Sequence, residues 1–261
     1  MVLNKDTRII TLNSNDATKL NGSYNSNVFF NIPDIVIENK NIHHLEVCVI
    51  DAQIPFSFYL INNETNNLRY TYNGQTYDLT ITNGNYNANS LIEQLTLGFL
   101  NTSSLTATIT LSQITGKLDF RWENMVSEIT FIYLNSIGIF RILGFNNQNY
   151  TGYSIIPPNP LNLLGVTKLM INSNSLATIS SYSSNKSLGN CCICTIPNDV
   201  PSWNLISYTN KNNIHGKMKQ RYLSNIDIEI RDEFSRYIEF NNIDWNITIQ
   251  IIIYRTDDIS F

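Results

Sequence analysis

Charge is scarce in this sequence. Only 15% of its 261 residues are Asp, Glu, Lys or Arg, so the polar surface has to come mainly from Asn, Ser and Thr. Asn and Ile are the two commonest residues, a compositional bias rather than a structural device. Histidine is scarcer still: His43, His44 and His215 complete the set, which leaves general acid–base chemistry few candidates. A strand would send the adjacent His43 and His44 to opposite faces, where they could not grip one ligand. No Gly-x-Ser-x-Gly elbow, phosphate-cradling glycine loop or His-Glu-x-x-His pair occurs. Asp199, Asp232-Glu233 and Asp257-Asp258 lack the spacing of a calcium loop. No catalytic, cofactor-binding or metal-ligating set is assigned, and the chain does not read as an enzyme.

Long apolar runs are missing too. None reaches membrane-spanning length, and Met1–Leu12 lacks the basic and apolar regions of a signal peptide. Synthesis in the cytosol is the expectation, and Cys48, Cys191, Cys192 and Cys194 would stay reduced there. The Cys191-Cys192-Ile193-Cys194 cluster lacks the two-residue spacing with which two thiolates meet one zinc. It reads as a strand of small apolar side chains. A formal net charge of −4 argues against a dedicated nucleic-acid binder. The basic stretch around Lys211, His215, Lys217, Lys219 and Arg221 reads as a solvated loop.

What the sequence does have is alternation. Ile226, Ile228 and Ile230 alternate with Asp227, Glu229 and Arg231, and Trp245 to Ile253 alternates with Asn246, Thr248 and Gln250. Period-2 patterns of β-branched residues mark strands buried on one face. Further strands are expected at Arg8–Leu12, Val28–Ile37, Leu45–Ile54, Arg69–Tyr72, Gln75–Ile81, Thr106–Leu111, Lys117–Trp122, Glu128–Tyr133, Leu163–Ser173, Cys191–Pro197 and Asn204–Tyr208. Asn73-Gly74 is a two-residue hairpin turn. One convincing helix follows Asn87 or Asn89, with Leu91, Ile92, Leu95, Phe99 and Leu100 forming its stripe. A second, shorter one at Ser136–Leu143 closes on Gly144. Asn146–Pro160 reads as a long loop and Ser173–Gly189 as a polar excursion. Many short strands with one or two helices imply an all-β sandwich or roll. Loop aromatics suit surfaces with one apolar and one wet side. Trp203, Tyr208, Tyr150 and Tyr153 are the candidate interface residues, with Trp203 as anchor; ordinary packing of a β-protein rim or core is the equal alternative for them.

Four segments in order resemble the penton (minor capsid) proteins of virophages and polinton-like viruses, which belong with the adenovirus-type vertex proteins. They are Asp51–Asn62 with Asn66-Asn67 following, Leu79–Tyr86 running into the helix Asn89–Leu100, Ile142–Phe145, and Asp232 to Ile249 with Ile238, Phe240, Asn241-Asn242 and Trp245. Asn242 stands where the family usually has Gly, and Thr82-Asn83-Gly84 where it usually has Pro-x-Gly. The resemblance implies a single jelly-roll β-sandwich at residues 28–254, with an apical insertion or long loops within 146–189. Residues 1–27 would be an N-terminal arm that anchors the protein, and 255–261 a short tail. It also implies a homopentamer at the icosahedral vertex, contacting trimers of the major capsid protein, in virions assembled in the host cytoplasm. The alternative is a jelly-roll binding module that recognises a glycan or host receptor through its loops.

Overall fold

The computed structural model describes residues 3–20, 25–32, 37, 41–179, 191–212 and 214–256. The chain forms two compact units, Met1–Phe58 with Val166–Phe261, and Tyr59–Gly165. The first unit opens with β1 (Leu3–Asn13), β2 (Thr18–Lys19), β3 (Asn27–Phe30) and β4 (Ile42–Pro55). The second unit follows with β5 (Asn67–Tyr72), β6 (Gln75–Thr80), α1 (Ala88–Ser103), β7 (Ala107–Leu111), β8 (Leu118–Trp122) and β9 (Ile129–Phe131). It ends with α2 (Ile137–Leu143), β10 (Tyr150–Gly152) and β11 (Ser154–Ile155). The chain then returns to the first unit with β12 (Lys168–Asn172), β13 (Cys192–Pro197) and β14 (Leu205–Thr209). β15 (Gly216–Lys217), β16 (Ile226–Asp232) and β17 (Asn246–Thr256) complete it.

In the first unit, one sheet runs β1-β17-β4-β14, with β15 also on β4, and the other runs β13-β12-β16-β3-β2. Its frame is the chain-order series β1, β3, β4, β12, β13, β14, β16, β17. The first of these pairs with the last, the second with the seventh, the third with the sixth, and the fourth with the fifth, all antiparallel. Folding that paired ribbon over sets β17 beside β4 and β16 beside β12. This is the jelly-roll connectivity.

Alternation decides which side chains meet inside. Ile247, Ile249, Ile251 and Ile253 of β17 are fully buried, as are Ile226, Ile228 and Ile230 of β16, and both sets belong to one core with Val47, Val49, Leu169 and Ile171. Each such side chain contributes about 1.5–3 kcal/mol by leaving water. Trp245 is buried as well; its indole Nε1 donates to the Asn25 carbonyl at 2.7 Å, so its one polar atom is satisfied. Asp227, on the opposite face of β16, holds the loop after β12. Its carboxylate accepts from Asn174 N and Ser175 N at 2.8 Å each and from Ser173 Oγ at 3.2 Å.

The second unit has a core of its own. Two sheets, β10-β9-β5-β6 and β11-β8-β7, enclose Tyr70, Phe99, Phe120, Trp122, Phe131, Phe140 and Phe145 with α1 and α2. Asn73 and Gly74 both have positive φ, 49° and 74°, which the tight turn between β5 and β6 demands. Asn87 caps α1 in a reciprocal box with Ser90. Gly98 lets the helix lie close on β6, since a Cβ there would sit 2.7 Å from Leu79 Cγ. Leu91, Leu95 and Phe99 are buried as expected, whereas Leu100 is 48% exposed.

Several boundaries differ from the sequence reading: β3 stops at Phe30, β12 starts only at Lys168, and the expected Asn146–Pro160 loop holds β10 and β11. Leu3–Asn13 is not an arm but an eleven-residue strand laid along the whole of β17, because Ile10 and Leu12 supply the edge of the Ile-rich sheet with its own apolar row. The insertion is not at 146–189 but is the whole Tyr59–Gly165 unit, which separates because its aromatic residues close on one another. The last strand extends through Thr256 rather than ending at Tyr254; 257–261, and 180–189 of the expected polar excursion, lie outside the described residues.

Removing residues 1–13 is expected to leave the folded state unpopulated. It strips the edge from β17 and uncovers a long apolar strand. Circular dichroism of the shortened protein, alongside the full chain, checks this; a native-like cooperative melt would return the segment to the status of an arm. Asp227→Asn is expected to cost about 1–3 kcal/mol at pH 7. Burial acts to raise the Asp227 pKa, but the bonds from Ser175 and Asn174 outweigh it and the net shift is downward. A depressed folded pKa adds stability that is complete above the ordinary value of about 3.9 and is lost as pH falls through the folded one. The gap between wild type and variant in urea unfolding should therefore narrow between pH 5 and pH 2.

Candidate functional site

The first unit has two unlike flanks. On one side the sheets end in β13 and β14; on the other they end in β1 and β2. Among the described residues, no strand pairs the outer edge of β14 or of β1. β14 (Leu-Ile-Ser-Tyr-Thr) carries no charge, while β1 concentrates Lys5, Asp6 and Arg8 in its first half and leaves Ile9–Asn13 neutral. Charges on an edge strand discourage promiscuous pairing. β14 has no such guard.

The approach to β14 is a turn at Pro201–Asn204. Asn204 N donates to Pro201 O at 3.2 Å, and Trp203 N donates to Phe56 O at 2.9 Å. Trp203 takes a left-handed φ of 71° there, a conformation that costs a non-glycine residue of order 1 kcal/mol. The result places the indole outward, 63% exposed, next to Leu205 at 49%.

Past the end of β14 lies a cleft of about 410 Å³. Cys48, Val49, Ile193, Cys194 and Tyr208 line it, with Asn210, Lys211 and Ile214 from the loop beyond β14. Burial pushes the Cys194 thiol up to about 11 despite a hydrogen bond with the Tyr208 hydroxyl, and burial pushes Tyr208 itself up to about 12. Both stay neutral at physiological pH, so the cleft has thiols but no thiolate nucleophile. His215 Nε2 and Gln250 Oε1 are 2.8 Å apart nearby. Among the described residues, no group of three or more His, Cys, Asp or Glu side chains could hold a metal ion. The histidine pair behaves unlike the sequence reading: the rings of His43 and His44 touch, with Nδ1 atoms 2.7 Å apart. A register shift between Tyr254 and Arg255 leaves His43 as an extra residue in β4, and such a bulge re-aims a side chain.

The four expected interface residues do not form one site. Trp203 and Tyr208 belong to the first unit, Tyr150 and Tyr153 to the second. Trp203 is on the surface as expected; Tyr208 turns inward to line the cleft. Tyr150 packs on Phe145, ring centroids 4.8 Å apart, and its hydroxyl accepts from Asn146 N at 3.1 Å. Tyr153 alone of that pair is exposed, at 57%. Leu205 was missed, as was the neutral half of β1 beside Ile9. The available signal was the lack of charge in Leu205–Thr209, but only sheet order reveals that this strand is an edge.

No family model matches the sequence, and no curated protein matches it. Among solved structures the chain is similar to the mavirus penton protein, with a TM-score of 0.50 at 9% identity, over 95% of this chain and 100% of that one. At that identity the likeness is one of fold.

Alkylation should report the thiol environment. With its pKa raised from 9.0 to about 11, Cys194 holds about 100-fold less thiolate at pH 8 than an unshifted thiol. Iodoacetamide labelling at pH 8, followed by peptide mass spectrometry, should show Cys194 reacting at least about tenfold more slowly in native than in urea-unfolded protein, since the higher basicity of its thiolate offsets part of that loss. Equal rates would mean the cleft does not bury it.

Proposed function

We propose that this chain is a structural subunit of an icosahedral virus capsid. In this reading it is the penton: five copies close the vertex ring and contact the surrounding trimers of major capsid protein. Assembly would take place in the host cytoplasm, and the protein would remain in the virion. A jelly roll by itself would be weak support, since that fold serves many functions. What carries the reading is that the likeness to a penton protein covers 95% of the chain, an extent that includes the Tyr59–Gly165 unit as well as the roll.

The surface chemistry supports it. A closed ring of five needs a heterologous interface, one flank of each subunit against the opposite flank of the next. Flanks rich in Asn and Thr can exchange neutral hydrogen bonds, whereas unpaired charges trapped there would be costly. The loop-aromatic grounds for a glycan-binding module are weaker, because Tyr150 is engaged with Phe145 and Phe140. A stacking platform on that side is reduced to Tyr153.

Light scattering on the purified full chain should give a native mass of about five copies, and mass spectrometry should find the chain in purified virions. A strict monomer at every concentration, together with absence from virions, would sink this reading.

A further inference from the structure

We infer that Ser207–Thr209 of β14 in one copy take Thr11–Asn13 of β1 from the next copy as an added antiparallel strand, so that the β1-β17-β4-β14 sheet runs on from subunit to subunit. This rests on the ring proposed above and names the surface that builds it.

Strand direction comes first. Three antiparallel steps separate β1 from β14, through β17 and β4. The two edges of the sheet therefore run in opposite directions. Rotation about an axis along the strands preserves direction, so β1 of a neighbour arrives antiparallel to β14, the sense in which a sheet adds a strand.

Height comes second, and the registers fix it. Thr209 pairs with Asp51, Asp51 with Thr248, and Thr248 with Thr11. Ser207 pairs with Gln53, Gln53 with Asn246, and Asn246 with Asn13. Ser207, Tyr208 and Thr209 thus stand level with Asn13, Leu12 and Thr11 at the uncharged end of β1, while Leu205 and Ile206 reach past Asn13. None of the five stands level with Lys5, Asp6 and Arg8. Those three are level with the stretch of β4 beyond the end of β14, where β15 pairs instead. Over the shared stretch neutral strand faces neutral strand, and Lys5, Asp6 and Arg8 meet no residue of β14.

Side chains come third. Thr11 and Thr209 are both exposed and end the same cross-strand row, so a continued sheet brings them side by side, a favourable cross-strand pair. Exposed Ile9 lies past the Thr11 end of the shared stretch and exposed Leu205 and Trp203 past its Asn13 end, so apolar area flanks the pairing on both sides. The occupant is a second copy of this chain.

The test uses the full chain with Thr11→Cys and Thr209→Cys together. Under mild oxidation it should give a ladder of disulfide-linked species reaching about five copies, collapsed by reductant, while each single variant gives no ladder. Independently, Ser207→Lys with Thr209→Lys should reduce the native mass to one copy with the melting midpoint essentially unmoved, since both residues are exposed. A wild-type ring with no ladder from the double-cysteine protein, or with the lysine variant still assembled, overturns this inference and leaves the capsid reading intact. A monomeric wild type defeats the capsid reading instead.

Discussion

Because β17 places Ile247, Ile249, Ile251 and Ile253 on one face and is flanked by a strand on each side, the order of its sheet follows from it. β1 covers one edge along eleven paired positions, and β4 covers the other along most of its length. The remaining pairs of the roll are positioned by that three-strand slab. β16 supplies the matching isoleucine row from the facing sheet, and the depth of the sandwich, about 10 Å, is what two such rows fill.

The two units use different apolar chemistry for a physical reason. Facing sheets present flat, pleated surfaces, on which β-branched side chains interdigitate. In the second unit, helices lie against short, strongly limited sheets, and the space between is irregular. Phe99 and Phe131 stack with centroids 6.0 Å apart, and Phe120 meets Phe131 edge-on at 5.5 Å. Large rings fill such a volume with few residues. Among the described residues, each core cluster is made of its own unit's side chains.

Local signals were legible in the sequence and non-local ones were not. The strands at Ile226–Asp232 and Asn246–Thr256, the Asn73-Gly74 turn and the Asn87 cap all rest on residues within a few positions of one another. The jelly roll itself came from the order of four resembling segments, and the observed strand pairing agrees with it. The insertion boundary escaped because composition barely changes at Tyr59 or Gly165; what changes there is which partners the side chains find. The short Arg8–Leu12 strand is legible, yet its extension through Leu3 depends on β17, some 240 residues away. Tyrosine suits both surface and core, so the sequence alone leaves Tyr150 open to either, and only the Phe145 contact decides between them.

The pairing of first strand with last also sets an order of events during synthesis. A chain emerging N-terminus first holds β1 without its partner until β17 is made, and loop closure over nearly the whole length makes that pairing slow. The Tyr59–Gly165 unit is continuous in sequence and can close while later strands are still being translated. Until then β1 and β4 expose apolar rows to every identical chain nearby. Crowded synthesis of many copies is therefore the moment of greatest risk for this protein, and the charged start of β1, Lys5, Asp6 and Arg8, is the only guard that strand carries during the wait.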